Sequence, residues 1–284
     1  MEYTTLYNGV TMPMLGYGIY QLPPESCELC VLAALDTGYR AFDTAQSYGN
    51  EALLGNALKK AGIPREDIFL TTKVRPHFYS DCTRQSVLDS LEKLHTNYID
   101  LVLLHQPFGD VYTAWRDLEK LYEEGKIRAI GVSNFYADRL VDLAYFANVR
   151  PMVDQVELHP LHQRGDLVEW GKKLGIVIEA WSPFGHGRGQ LFENPVLTEI
   201  GEKYHKTAAQ VILRWDLQRG VVTIPKTTSA VRMAQNIDIF DFALSEEDMA
   251  AIAGLETGIS VFYSHSDPNV IENYALGVLK SKGK

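Results

Sequence analysis

The stretch YRAFDTAQSYGNE, residues 39–51, joins a short apolar strand to a polar loop that begins where the strand should end. Ala41 and Phe42 are apolar, Asp43 follows them at the strand end, and Tyr48 lies in the loop. A helical pattern, PPESCELCVLAALDTG, precedes the stretch and closes on a glycine. The order is therefore helix, turn, strand and loop, and a chain that repeats it builds a parallel sheet covered by helices.

The rest of the chain repeats this unit. Eight β-branched or apolar runs alternate with helical patterns, at residues 14–20, 40–45, 67–73, 99–105, 127–134, 152–158, 176–182 and 221–226. Eight strands alternating with helices predict an α/β fold, the (β/α)8 TIM barrel. A doubly wound open sheet ranks lower, because no G-x-G-x-x-G follows the first strand. Before the barrel, TTLYNGVTMPML predicts a β-hairpin at the barrel bottom, with a two-residue turn at Asn8-Gly9.

Composition limits the classes of protein that remain. The 284 residues are 46% hydrophobic and 22% charged, which is ordinary for a soluble domain and predicts one barrel domain over residues 1–284. A formal net charge of −9 argues against a nucleic-acid or anionic-membrane partner. Three cysteines are too few for a disulfide scaffold, so a cytoplasmic location is expected. The N-terminus does not read as a signal peptide, and no apolar run approaches the roughly 20 residues of a membrane span.

The strand ends carry the chemistry, because active sites of such barrels lie at the carboxyl ends of the strands. Polar, titratable or aromatic residues end the eight runs, namely Tyr20, Asp43 with Tyr48, Lys73, His105, Ser133 with Asn134, Gln155, Trp181 with Ser182, and Lys226. The fold predicts that these side chains meet at one mouth of the barrel.

Four of these residues form a set suited to carbonyl reduction. A tyrosine has an ordinary pKa near ~10, and a neighbouring ammonium lowers the pKa of the phenol. Lys73 would supply that ammonium, and Asp43 would hold Lys73 in place beside Tyr48. His105 would donate a hydrogen bond to the substrate oxygen. No side chain supplies a hydride, so a nicotinamide cofactor is implied.

Seven motifs then occur in order, namely GYRAFDTAQSYGNE, LTTK, IDLVLLHQP, EGKIRAIGVSNF, DQVELHP, WSPFG and IPKTTSAVRMAQN. On these motifs the chain resembles the aldo-keto reductase superfamily, NADP-dependent oxidoreductases built on a (β/α)8 barrel, nearly from end to end. It is most similar to the bacterial branch that includes diketogluconate and methylglyoxal reductases. The resemblance implies reduction of aldehydes or ketones to alcohols with NADPH.

The resemblance also implies a role for individual residues. Tyr48 would be the proton donor, Lys73 and Asp43 would tune it, and His105 would orient the carbonyl. The cofactor-binding residues would be Ser133, Asn134, Gln155, Trp181, Ser182, Pro183, Phe184, Gly185, Lys226, Thr227, Thr228, Arg232, Gln235 and Asn236. Arg232 with Lys226 and Thr227 would grip the 2′-phosphate, in a cationic, hydroxyl-rich patch placed where barrels bind phosphate.

The substrate pocket departs from the family's commoner pattern. Gln106 follows the histidine where animal members have tryptophan, and Arg75 stands after "TK" where tryptophan is frequent. Tyr20 is expected to form a pocket wall. Because a guanidinium pairs well with a carboxylate, these residues predict small polar or anionic carbonyl substrates, such as methylglyoxal or keto sugars.

Two other motifs are better explained by structural roles than by metal binding or redox chemistry. His159 and His162 flank a proline and lack a third ligand, so no metal site is predicted. Cys27 and Cys30 lie within a helical pattern and are expected to be structural. Two other functions stay open, an NADPH-binding regulatory or structural protein with little turnover, and a barrel isomerase or hydrolase without a nicotinamide cofactor. The expected partner is a small carbonyl compound, with the protein a monomer or a small oligomer.

Overall fold

The computed structural model describes residues 1–80 and 82–281, and eight parallel strands form one sheet within these ranges. The strands follow one another along the sheet in chain order. They are β3 Tyr17–Gly18, β4 Ala41–Asp43, β5 Phe69–Val74, β6 Ile99–Leu104, β7 Ile127–Ser133, β8 Val153–Glu157, β9 Val177–Trp181 and β10 Val222–Thr223. Each of the eight predicted runs therefore overlaps one strand, and β5 alone among these eight extends one residue beyond its run.

Contacts between the first and last strands close the sheet into a barrel. Leu15 and Thr223 form a parallel bridge. The Gly16 N–H donates to the Thr223 carbonyl over 2.9 Å, and the Thr223 N–H donates to Met14 over 3.0 Å. Glycine favours this close approach, since a Cβ on Gly16 would lie 3.0 Å from the Ile224 side chain, which would have to shift. The predicted (β/α)8 barrel is confirmed.

The central strands have apolar neighbours on both faces. Every residue of β5 and β6 is buried, as expected of parallel strands covered by helices outside and by side chains inside. Leu101 and Leu103 pack in one cluster with Met12, whereas Val102 and Leu104 belong to the larger core formed with the helices. This alternation is the period of a strand, and it also directs the polar residues of β4, β5, β8 and β9 into the barrel.

Helices surround the sheet in the described part of the chain. They are α1 Pro24–Thr37, α2 Glu51–Ala61, α3 Thr83–Lys93, α4 Val111–Glu123, α5 Ala137–Phe146, α6 Gly165–Leu174, α7 Pro195–Tyr204, α8 Ala208–Gln218, α9 Ala230–Ile237, α10 Glu246–Ala253 and α11 Pro268–Ser281. A capping box formed by Ser245 and Asp248 begins α10, where each side chain accepts from the other residue's backbone N–H. Cys27 and Cys30 are free and buried in α1.

The N-terminal hairpin covers the bottom of the barrel. Its strands, β1 Tyr3–Thr5 and β2 Thr11–Pro13, are antiparallel, and Met12 packs with Ala41 and Phe69, the first residues of β4 and β5. The predicted hairpin is confirmed, but the two-residue turn is wrong. Leu6 N–H donates to Val10 O over 2.8 Å, so the loop spans residues 7–9 and Gly9 adopts a left-handed φ of 89°.

The C-terminal segment forms a helix that packs against the barrel. Asp267 Oδ1 accepts from the Asn269 N–H over 2.9 Å, and α11 begins at Pro268, a residue suited to the first helical turn. The ring of Tyr274, in α11, lies 5.7 Å from the ring of Phe108 in the loop after β6. None of the helices in the described ranges is long and apolar enough to cross a membrane.

Candidate active site

A cleft of about 940 Å³ opens at the carboxyl ends of the strands. Its volume lies within the range of roughly 300–1,000 Å³ that is usual for ligand sites. Most of the predicted site residues line it, namely Tyr20, Asp43, Tyr48, His105, Gln106, Ser133, Asn134, Gln155, Trp181, Ser182, Pro183, Phe184, Lys226, Thr227, Arg232, Gln235 and Asn236. Lys73, Arg75, Gly185 and Thr228 are not part of the cleft wall.

Lys73 lies just below the cleft floor and joins two of the catalytic candidates. Its Nζ donates to Asp43 Oδ1 over 2.5 Å, to the Thr44 carbonyl over 3.1 Å and to the Tyr48 hydroxyl over 3.3 Å. Lys73 and Asp43 are buried, whereas Tyr48 is half-buried at the cleft. The barrel therefore holds an ammonium, a carboxylate and a phenol in one hydrogen-bonded chain.

Electrostatics keep Lys73 charged and Tyr48 protonated. Burial lowers the pKa of Lys73, but the ion pair and hydrogen bond with Asp43, with additions from the nearby Tyr48 and Glu179, outweigh burial and hold that pKa above its ordinary value. Burial raises the pKa of Tyr48 to about 12, and Lys73 only partly offsets this rise. The sequence predicts a lowered phenol pKa; Lys73 does act in that direction, but burial of the hydroxyl is the larger effect. At neutral pH, Tyr48 is therefore a phenol and Lys73 a cation.

His105 is neutral at physiological pH. Burial lowers the pKa of His105 to about 3, and the charge of Lys73 acts in the same direction. Its Nδ1 lies 3.3 Å from the Ser47 hydroxyl, and its ring lies 5.7 Å from the ring of Tyr48 at an interplanar angle of 77°. When Ser47 donates to Nδ1, the single ring proton is on Nε2, which makes this atom a hydrogen-bond donor.

A second group of polar residues presents hydrogen-bond acceptors beside this chain. Asn134 Nδ2 donates to Ser133 Oγ and to the His105 carbonyl, both over 3.1 Å, while its Oδ1 accepts from Trp181 Nε1 over 2.9 Å. Gln155 Nε2 donates to carboxylate oxygens below the cleft. Because these amide nitrogens are engaged, a ligand can be met by the carbonyl oxygen of Gln155 and by the second lone pair of Asn134 Oδ1, whose first accepts from Trp181.

The opposite end of the cleft is cationic. Lys226 and Arg232 are exposed, and neither is ion-paired with any other residue that the structure describes. Thr227 Oγ1 accepts from the Ser229 N–H over 3.1 Å, and Ser229 caps α9. Two unpaired cations at a helix N-terminus provide a site for an anionic group such as a phosphate. With the acceptors at the other end, the residues present fit a nicotinamide dinucleotide that carries an extra phosphate.

Three predicted residues outside the cleft wall have other surroundings. The guanidinium of Arg75 lies 5.2 Å from the ring of Phe78, over its face. Thr228 is exposed next to the cationic end, and Gly185 is buried in the loop after β9, with a left-handed φ of 57°. The prediction that Arg75 contacts the substrate stays a prediction.

Four residues of the C-terminal segment line the cleft and were not among the predicted site residues, Phe262, Tyr263, His265 and Tyr274. The ring of Phe262 lies 5.0 Å from that of Trp181, and the ring of Tyr263 lies 4.8 Å from that of His265. Burial lowers the pKa of His265 to about 4, so this side chain is neutral at physiological pH. The aromatic residues of this segment were the available sequence signal.

The described residues contain no group of three potential ligands that could hold a metal ion. His159 and His162 face each other across an antiparallel bridge, with ring centroids 6.2 Å apart. His159 Nε2 lies 3.1 Å from Glu157 Oε1, so one of the two histidines has a carboxylate partner.

Comparison with known proteins defines the class of enzyme. The sequence profile of the Aldo/keto reductase family matches residues 14–257 of this chain. The chain therefore belongs to the aldo/keto reductase family of NADP-dependent oxidoreductases, in agreement with its barrel and with the residues at its mouth.

Individual relatives cover most of the chain. Glyoxal reductase of Bacillus subtilis is 49% identical over 254 residues, which span 88% of this chain and 91% of the relative. Methylglyoxal reductase DkgA of Escherichia coli O157:H7 is 41% identical over 256 residues, spanning 89% and 93%. A crystal structure of an aldo-keto reductase complexed with NADPH is 33% identical, with a TM-score of 0.88 over 92% of this chain and 90% of that one. The protein thus lies in the branch that contains the methylglyoxal reductases.

Proposed function

We propose that this protein reduces small polar aldehydes and ketones with NADPH, and that Tyr48 delivers the proton. The observation that carries the proposal is the position of Lys73 Nζ, which contacts both Asp43 and the Tyr48 hydroxyl inside the barrel. A phenol beside a fixed ammonium is an acid whose conjugate base is stabilised as the proton leaves.

NADPH, when bound, supplies the hydride. The residues of the chain then manage the oxygen and its proton. Neutral His105 donates a hydrogen bond to the carbonyl oxygen and stabilises the negative charge that develops there. An alkoxide is a stronger base than a phenolate, so Tyr48 releases its proton although its pKa is about 12. Lys73, 3.3 Å away, stabilises the resulting phenolate.

The cofactor would lie across the barrel mouth. The carbonyl oxygens of Asn134 and Gln155 suit the amide hydrogens of a nicotinamide carboxamide, and Trp181 offers a ring face to the nicotinamide. Lys226 and Arg232 would pair with the 2′-phosphate. The remaining proposed contacts are Ser133, Ser182, Pro183, Phe184, Gly185, Thr227, Thr228, Gln235 and Asn236.

The carbonyl end of the cleft favours neutral substrates. Above the buried pair of Lys73 and Asp43, the cleft around Tyr48 carries aromatic rings and neutral polar groups. The ring of Tyr20 lies 4.7 Å from that of Tyr48, and Gln106 and neutral His265 line the same cleft. Because Arg75 lies outside this wall, the preferred class is small, uncharged and polar, such as methylglyoxal, more than carboxylates. Two relatives whose names specify glyoxal and methylglyoxal support this choice.

A substrate panel tests the proposal. NADPH absorbance is followed with methylglyoxal, glyceraldehyde, a nitrobenzaldehyde and a diketogluconate, and methylglyoxal is expected to give the higher kcat/KM relative to the anionic diketogluconate. Arg232→Ala should raise the Kd for NADPH about tenfold and leave NADH unaffected, with Arg84→Ala as a remote control. If no carbonyl is reduced while NADPH still quenches tryptophan fluorescence, the protein is an NADPH-binding protein without this activity.

A further inference from the structure

A buried carboxyl group below the cleft has no part in the proposed chemistry. Glu179 lies in the middle of β9, faces into the barrel, and is 1% exposed. In the parallel pairing of β8 with β9 it is the register partner of Gln155. A carboxyl group in the interior is costly unless neighbours satisfy it, so its contacts are informative.

Glu179 and Asp43 share one nitrogen of Gln155. Gln155 Nε2 donates to Asp43 Oδ2 and to Glu179 Oε2, each over 2.8 Å. A primary amide has two N–H donors, and here each donor has a carboxyl oxygen as its partner. Rotating this amide by half a turn would place its carbonyl oxygen against both acceptors, so the two carboxyl groups together select one orientation.

The selected orientation determines what the cofactor meets. With both donors of Gln155 directed down into the barrel, its Oε1 is the amide atom left for the cleft that the residue lines. Asp43 alone would secure only one of the two donors, and Asp43 is also engaged by Lys73. Glu179, the second acceptor, therefore holds the N–H of Gln155 that the hydrogen-bonded chain of Lys73, Asp43 and Tyr48 leaves without a partner.

We propose that Glu179 is a positioning residue, which fixes the side-chain amide of Gln155 so that its carbonyl oxygen receives the nicotinamide carboxamide. The inference rests on the proposed function, since it needs Gln155 to contact the cofactor. The role requires an acceptor at position 179 and does not require a charge. Burial and the nearby Asp43 charge raise the pKa of Glu179 to about 8, so an uncharged acceptor is the form present at neutral pH.

Three variants test this role through the Kd for NADPH, measured by quenching of tryptophan fluorescence. Glu179→Met removes the acceptor at similar volume and should raise the Kd about tenfold, the effect of one hydrogen bond. Glu179→Gln keeps a carbonyl oxygen and should stay within about twofold of wild type, which corresponds to a small fraction of such a bond. Thr71→Val is the matched control, because Thr71 is buried and lines the same small internal cavity as Asp43 and Glu179.

The melting temperature of the free protein separates positioning from folding. Glu179→Met leaves one buried N–H of Gln155 without its acceptor, so this variant should lose affinity with only a small fall in Tm, at most roughly 6 °C. The inference is overturned if Glu179→Met binds like wild type, if Glu179→Gln or Thr71→Val binds as weakly as Glu179→Met, or if the Tm of Glu179→Met falls by much more than the roughly 6 °C that one unsatisfied donor explains. Gln155→Ala identifies the failing step. If Gln155→Ala also binds NADPH like wild type, the proposed contact of Gln155 with the cofactor is wrong. If Gln155→Ala binds NADPH weakly, that contact stands and only the proposed role of Glu179 is wrong.

Discussion

Replacing Lys73 by methionine tests the electrostatics of the barrel interior. The ammonium is 1% exposed and lies 2.5 Å from Asp43 Oδ1. Methionine has similar length and no charge, so among the described residues it leaves the buried Asp43 carboxylate with the side-chain donor from Gln155 alone. Breaking a buried ion pair on one side typically costs about 3–5 kcal/mol, because the remaining charge is unpaired in a medium of low polarity.

We therefore expect Lys73→Met to lower the free energy of unfolding by about 3–5 kcal/mol. For a chain of this size, about 2 °C of Tm corresponds to each kcal/mol, so Tm should fall by roughly 6–10 °C. Urea unfolding at pH 7 measures the free energy, and the slope m should stay at its wild-type value.

A double variant supplies the control. Asp43→Asn combined with Lys73→Met removes both charges, so it should be more stable than Lys73→Met alone. A Lys73→Met protein within about 1 kcal/mol of wild type would refute the reasoning, because the expected penalty is at least three times larger. A double variant as unstable as the sum of the two single variants would show that the pair is not coupled.

Two further predictions concern stability. The pKa of Glu179 in the folded protein is about 8, above its ordinary value of 4.5. As pH rises from about 4.5 to 8, wild type should therefore lose stability relative to Glu179→Gln, by at most about 1.4 kcal/mol per pH unit. Urea unfolding of both proteins at pH 6 and 8 measures this difference, and an equal difference at the two pH values would contradict the prediction. Gly131→Ala should cost about 1–3 kcal/mol or more, because its Cβ would lie 2.5 Å from the Val153 carbonyl, whereas Gly165→Ala, which meets nothing within 4 Å, should be neutral in the same assay.

The fold was predictable because each strand lies in a continuous apolar run. The runs at 67–73 and 99–105 match β5 and β6 to within two residues at each end, since both strands are covered on both faces. The first and last runs gave strands of only two residues. Where they meet, a glycine allows close backbone approach and Pro225 interrupts the sheet, and strand length there depends on barrel closure, which local sequence does not encode.

The candidate site was predictable in part. Strand ends identified the residues around Tyr48, because parallel strands bring their carboxyl ends to one mouth. Sequence reasoning missed the pKa of Tyr48, since burial of its hydroxyl is a property of the folded cleft. It also missed Tyr274, although Asp267-Pro268 is a helix-start pattern, and Glu179, although an acid in the middle of an apolar strand marks a buried polar contact.

The central claim is that Tyr48 delivers the proton in carbonyl reduction, and the most direct measurement is NADPH consumption with methylglyoxal by wild type and Tyr48→Phe. General acid catalysis contributes about 10²–10⁴-fold, so kcat should fall at least about 100-fold while the Kd for NADPH stays within about twofold. Tyr112→Phe, an exposed tyrosine bonded to Asp142 and outside the cleft wall, should keep wild-type turnover. A Tyr48→Phe enzyme that retains more than about one tenth of kcat, well above the loss expected of a missing general acid, would contradict the account.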